Sequence, residues 1–220
     1  SNEHLLEKYG DRVPVRENEW DTRHFWRVSN AEHLEMSENV GMVNLSHFAM
    51  VDISGPDHVA FMEYLCAAKV GGDIMVGKGI YTHFLDEKGM VRADFTVFRM
   101  ADRFRFVDGA DAGNRDFVYM KRMAQDHGFD VVIEDVSEKY VTIGVWGPNA
   151  RTTLQKVVSD PDGLSHENFP FAAIRQIEIA NTNVTAFRIS YVGEQGWELH
   201  MKYEEALAVW DALRALDVMP

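Results

Sequence analysis

Cysteine is almost missing from this chain. Cys66 stands alone among 220 residues, so there is no internal disulfide framework and no Cys-based zinc site. Cations are short as well. Lys and Arg number 22 against 35 Asp and Glu, a formal net charge of -13, and without a basic cluster the chain cannot neutralise a phosphate backbone. No apolar run approaches the roughly 20 residues of a membrane-spanning helix, and no signal-peptide pattern opens the sequence. The expectation is a cytoplasmic protein, or one of the mitochondrial matrix in a eukaryote, with neither nucleic acid nor membrane as partner. Nucleotide and hydrolase signatures are absent too. Gly71-Gly72 and Gly77-Lys78-Gly79 match neither the dinucleotide fingerprint nor a P-loop, and Ser46-His47 has no Gly-x-Ser-x-Gly elbow around it. The nine His residues offer no His-x-His or His-Glu-x-x-His spacing, so no metal is assigned, although His83 is free to meet His47 or His200 in space. Cys66 falls on the apolar side of a helix and reads as packing.

What the chain does have is an ordinary globular composition, 46% hydrophobic and 26% charged, in a length that buries a sizeable core as one domain or two small ones. Residues 3 to 38 read as a polar, irregular arm carrying Trp20, Phe25 and Trp26, closed by a helix over 30–39 that Asn30 caps. From Val40 the texture changes to strand, with alternation over Met42 to Leu45 and Met50 to Ile53.

One pattern then occurs twice. Strand, Gly55-Pro56-Asp57 and a helix from His58 are matched by strand, Gly147-Pro148-Asn149 and a helix from Ala150. Each copy continues with strands, Ile80 to Leu85 and Ala93 to Arg99 in the first, Ala173 to Ile179 and Thr185 to Tyr191 in the second. Each ends in an amphipathic helix, Asn114 to His127 stopped by Gly128, and Tyr203 to Leu216. Strand, helix, two strands, helix, strand is the ferredoxin-like βαββαβ order, so the expected class is α+β with that unit duplicated. Residues 159–172 read as a loop.

Two carboxylates sit inside apolar strand-like runs, Asp94 in Val91 to Arg99 and Glu198 in Trp197-Glu198-Leu199. A carboxylate on such a strand is expensive to bury unless it meets a cation, a metal or a ligand rich in N–H donors. Two readings of each stand. Asp94 is either a strand-end Asp paired with Arg92 or Arg99 or a catalytic group; Glu198 is either an exposed strand residue or a ligand-binding one.

These segments resemble the glycine-cleavage T-protein (aminomethyltransferase) family. Asn44-Leu45-Ser46-His47 is similar to that family's Asp-Val-Ser-His, and Gly79-Ile80-Tyr81 to the Tyr before its hairpin. Gly89 to Asp94 resembles its Gly-Gly-x-x-Asp-Asp, and Trp146-Gly147-Pro148-Asn149-Ala150 its Gln-Gly-Pro-x-Ala. Arg188 to Glu198 resembles its Arg-x-x-Tyr-Thr-Gly-Glu-x-Gly-x-Glu. The resemblance implies a tetrahydrofolate-dependent one-carbon transferase taking a methylene or methyl group from an amine-type donor, with a small-molecule donor and a carrier-protein or flavoprotein partner. It makes Asp94 the catalytic carboxylate, itself in contact with folate, and Glu198 the pterin ligand, with Tyr81, Phe98 and Tyr191 lining the folate slot. It also implies a discontinuous organisation, 1–48 with 138–220 around an inserted 49–137.

The departures bear on the donor. Ala93 replaces the first Asp of the usual pair, Gly109 stands for an Asn, and Asn44 for the Asp of Asp-Val-Ser-His. Similar changes occur in the folate regions of dimethylglycine and sarcosine dehydrogenases and in tetrahydrofolate-dependent demethylases, so an O- or S-demethylase and a non-catalytic folate-binding module remain alternatives. The sequence stops at Pro220, before the family's C-terminal barrel and the Arg there that supports folate binding.

Overall fold

The computed structural model describes residues 2–13, 25–72 and 75–220. The N-terminal arm is helical. Helices α1 (Leu5–Tyr9) and α2 (Trp26–Glu38) close a small core of Leu5, Tyr9, Val13, Trp26 and Ala31 against Met219 near the other terminus. Their apolar residues are too few to stand out in a polar background, and burial against a distant segment is what orders them. Helix α2 begins four residues before the expected cap. Asn30 lies inside it and donates its side-chain amide to the Trp26 carbonyl at 2.9 Å, while Phe25 occupies the cap position. Trp20 lies outside the described residues.

Two five-stranded sheets follow, and every pairing between neighbouring strands is antiparallel. The first joins β1 (Gly41–Asn44) to β7 (Tyr140–Trp146), β10 (Gly196–Lys202), β9 (Thr182–Phe187) and β8 (Ile174–Ile179), in that order. The second runs β3 (Lys78–Leu85), β4 (Val91–Arg99), β5 (Phe104–Asp108), β2 (Ala49–Ser54) and β6 (Val132–Asp135). Helices α3 (His58–Leu65) and α4 (Ala110–His127) belong to the second sheet, α5 (Ala150–Leu154) and α6 (Ala206–Arg214) to the first.

The α+β class and the internal duplication hold, with one more strand per repeat than the six-element order contains. Phe104–Asp108 is that strand in the first copy. It is buried throughout and carries Arg105 and Asp108 among Phe and Val, so no polar–apolar alternation announces it. Its insertion makes the pairing next to β2 antiparallel. The second copy borrows its last strand. Where β6 flanks β2, β1 from the N-terminal side flanks β7.

The two Gly-Pro turns are equivalent in detail. Gly55 and Gly147 take φ values of +104° and +133°, a region that L side chains rarely adopt. Each is pressed on the backbone that leads into the borrowed or final strand, Asp130–Val132 for Gly55 and Met36–Val40 for Gly147. Asp57 N–H then donates to the Asp130 carbonyl and Asn149 N–H to that of Asn39. Asp57 occupies the cap position of α3, but its carboxylate accepts from Asp130 N–H at 2.8 Å and not from the helix.

Alternation divides each strand between two layers. Phe95, Val97, Phe104 and Phe106 pack under α3 and α4, and Ile143, Val145, Trp197 and Leu199 under α5 and α6. The opposite faces meet each other in a third cluster, where Met50, Phe98, Val107 and Val136 from one side pack on Phe187 from the other. Both candidate carboxylates project on the sheet faces turned toward this layer.

Candidate functional site

Asp94 lies on β4 with Thr96 and Phe98 on the same face, opposite His83 of β3 in register. The hairpin that positions it turns on Gly89, φ +78°, while the Asp86 carboxylate accepts from Lys88 and Met90 N–H. Asp94 is solvent-exposed, and its Oδ2 accepts a 2.6 Å hydrogen bond from Tyr81 Oη. That bond raises the Tyr81 pKa. The salt-bridge reading of Asp94 fails. The Arg92 guanidinium lies over the Tyr119 ring at 4.1 Å, and Arg99, on the other face of β4, donates to His58 Nε2. What remains is an accessible carboxylate held by one phenol.

Glu198 is not exposed. On the central strand β10 it is 7% accessible, across from Phe187 on β9 and Gly144 on β7. Its hydrogen-bond partner among the described residues is His200 Nε2 at 3.4 Å, two residues along the same strand face. The His200 ring packs against Phe187 at 4.4 Å and Phe98 at 6.0 Å between centroids. Burial depresses its pKa, and Glu198 pulls in the opposite direction. No Lys or Arg salt bridge to Glu198 occurs among the described residues. Phe98, expected as a slot wall, is itself buried to 1% and seated on Phe187 at 3.9 Å. Its ring packs on Phe187 and meets His200 edge-on, and lines no open slot.

Tyr191 is 71% exposed and lies beyond the end of β9, because the strand stops at Phe187 and the chain bends through 188–195. Its ring meets Phe48 edge-on at 6.0 Å, and Phe48 packs on the inter-sheet cluster. Tyr81 and Tyr191 thus stand at the rim of the layer that holds Phe98. Register links Tyr81 to Thr96 and Thr96 to Val107 of that cluster. A cleft of about 470 Å³ is lined by Phe48, His47, Asn114, Ser137, Glu138 and Tyr203 among others. Neither Asp94 nor Glu198 lines it.

Three pairings in this region lay beyond the sequence reading. His200 is legible afterwards as the same-face neighbour of Glu198 in Trp-Glu-Leu-His. Asp52 and Arg105, register partners on β2 and β5, form a buried bidentate pair at 2.7 and 2.9 Å under the Tyr140 ring. Asp108 and Asp116 are buried together at the start of α4. Burial, contact with Asp116 and the charge of Asp94 push Asp108 up to about 7. Asp116 keeps a two-point pairing with Arg115. The three His residues left open do not converge: His83 lies against Tyr81, His47 against Phe48, and His200 in the core. No group of three metal-ligating side chains occurs among the described residues, and no helix there is long and apolar enough to cross a membrane. Cys66 is buried, and burial raises its thiol to about 12, as a packing residue requires.

Comparison with known proteins matches this arrangement. The chain is 32% identical to human mitochondrial dimethylglycine dehydrogenase over 96% of its own length and 24% of that protein. It is 30% identical to the aminomethyltransferase of Paraburkholderia phymatum over 91% of this chain and 54% of that one. It therefore spans about a quarter of the first relatives and about half of the second. Among solved structures, the glycine cleavage system aminomethyltransferase T from Bartonella henselae superposes with a TM-score of 0.72 at 21% identity, covering 95% of this chain and 56% of that one, a likeness of fold. The sequence profile of the GCVT N-terminal domain matches residues 6–217, and with that match the chain belongs to the GCVT N-terminal domain family.

Proposed function

We propose that this chain is the folate-binding core of a tetrahydrofolate-dependent one-carbon transferase, organised as 1–48 with 138–220 around 49–137. The observation that carries the reading is Glu198, a carboxylate 7% accessible whose partner among the described residues is a single imidazole N–H. A carboxylate has about four acceptor positions, and the single N–H of His200 leaves the others for the donors of a ligand. The amino-pyrimidinone edge of a pterin presents N–H donors of that kind, and aromatic residues at the rim, Tyr81 and Tyr191, suit its rings. Tetrahydrofolate supplies the nitrogen that accepts the one-carbon unit. Asp94, oriented by Tyr81, would take up a proton or stabilise positive charge as that nitrogen bonds.

An amine-type donor is favoured over an O- or S-methyl donor. The relatives bear the names aminomethyltransferase, dimethylglycine dehydrogenase and 4-methylaminobutanoate oxidase (formaldehyde-forming), the last 33% identical over 86% of this chain. Each name denotes an aminomethyl or N-methyl compound. In the dehydrogenase-like arrangement, the partner would be a flavoprotein portion that oxidises the N-methyl group; in the transferase-like one, a carrier of the aminomethyl group.

Calorimetric titration of the full-length protein with tetrahydrofolate tests the reading. Charge-assisted hydrogen bonds contribute about 1.5–3 kcal/mol, so Glu198→Gln is expected to weaken binding roughly tenfold to a hundredfold. Unchanged affinity in a folded variant would return Glu198 to a structural role and remove the main support for folate.

A further inference from the structure

His200 is 1% exposed, and its ring fills a space edge-on against both Phe187 and Phe98, which touch each other. An apolar ring would fill that space equally well. The imidazole also brings a penalty, since Nδ1 is buried with no hydrogen-bond partner among the described residues, and an orphaned buried acceptor is unfavourable. Packing alone therefore does not account for histidine here. Nε2 does, because it is the nitrogen that faces Glu198 Oε2 at 3.4 Å. A carboxylate only accepts, so the proton of the neutral ring resides on Nε2 and Nδ1 is left as the bare lone pair. Both residues lie on one face of β10, which is flanked by β7 and β9, and neither backbone has freedom to drift.

We infer that His200 is a positioning residue for Glu198: its Nε2–H occupies one lone pair of the carboxylate and fixes the orientation in which the remaining ones meet the N–H edge of a reduced pterin. The inference rests on the folate reading above and assigns a role to a side chain that does not itself touch the ligand. The chemistry is a division of acceptor positions. One position of Glu198 is satisfied from inside the protein, and the others face the ligand already aimed, so less ordering is needed when it binds.

The experiment is a binding and turnover comparison on the full-length protein with tetrahydrofolate as probe. His200→Phe keeps the ring and removes the N–H, and is expected to weaken tetrahydrofolate binding about threefold to tenfold, the worth of one ordinary hydrogen bond. Turnover at saturating tetrahydrofolate should stay within about twofold, because Asp94 and Tyr81 are untouched and the effect falls on KM. His200→Gln, which restores an N–H donor, should recover most of the affinity. In the Glu198→Gln background, His200→Phe should add nothing further, as residues acting through one another are not additive. If His200→Phe does not fold, His200→Asn withdraws the donor by shortening its reach and carries the same expectation. Loss of affinity in Glu198→Gln, with unchanged affinity in the His200 variants or a fully additive double variant, would overturn the positioning role and leave the folate reading standing. Unchanged affinity in Glu198→Gln would overturn both.

Discussion

At the residue scale, the chain separates two carboxylates by environment. Glu198 is enclosed and Asp94 is open, which suits a fixed anchor and a group that exchanges protons. Asp94→Asn keeps size and a hydrogen bond to Tyr81, so folding and tetrahydrofolate affinity should persist. One-carbon transfer should fall by about a hundredfold to ten-thousandfold, the usual loss for a positioned acid–base group. Single-turnover transfer with an N-methyl amine donor measures it, and wild-type rates in the Asn variant would leave Asp94 without a chemical role. Asp108 carries a different prediction. Its folded pKa of about 7 lies above the ordinary 3.8, so the folded chain holds a proton that the unfolded chain releases. The associated stability is present in full below about pH 4 and is lost as pH rises through about 7. Between pH 5 and 8 this should cost on the order of 1–3 kcal/mol, and Asp108→Asn should flatten that slope. Denaturant midpoints at the two pH values check it; an unaltered slope in the Asn variant would place the effect elsewhere.

At the element scale, glycine positions that look alike in sequence differ in consequence. Gly89 has φ +78° with nothing within 4 Å of an added Cβ, and Gly147 has φ +133° with the carbonyls of Asn39 and Met36 against it. Gly89→Ala should cost about 1 kcal/mol, the left-handed penalty alone. Gly147→Ala should cost about 2–4 kcal/mol, since strain adds to a clash with backbone that cannot yield. Chemical denaturation separates the two; equal losses would show that the junction of β1 and β7 is softer than its geometry. Most elements were readable because their signals are local: Gly-Pro turns, the Gly128 stop and alternation over 91–99. The misses have physical causes. Phe104–Asp108 hides in a fully buried strand, and α1 and α2 gain their order from Met219, far away in sequence. The expected strand over 185–191 stops early: Arg188 still pairs its backbone with Ala172 and Ala173, and from Ile189, whose N–H turns back to the Phe187 carbonyl, the chain leaves the sheet. Of the site, Asp94 stood out as a carboxylate in an apolar strand, while Tyr81 came only through the family resemblance and its bond to Asp94 appears only in the structure. Phe98, expected to line the folate slot, is buried instead, because which rings end beneath another sheet depends on the partner sheet, and no spacing within β4 encodes that.

At the scale of the whole molecule, the borrowed strand decides how the halves depend on each other. Strand β1 completes the sheet of 140–202, yet the residues that follow it run directly into β2 of the other sheet. The second sheet is one continuous stretch, 49–135, set into the first, whose strands lie on both sides of it in the chain. The inter-sheet layer joins them a second time, since Phe98 and Phe187 meet at 3.9 Å with Met50, Val107 and Val136 around them. Two sheets sharing a strand connection and a core should lose structure together, despite a duplication that suggests two independent units. Calorimetry of this chain should therefore show one transition whose van't Hoff and calorimetric enthalpies agree. Phe187→Ala should remove about 3–5 kcal/mol, the usual loss for a buried Phe. Because the ring is common property, amide protection should fall in β4 and β5 as well as in β9 and β10. Two resolved transitions, or protection lost in the sheet of Phe187 alone, would mean that the layer carrying Glu198 is a contact between separate domains. Tetrahydrofolate affinity would then depend on how those domains are held together as well as on the carboxylate itself.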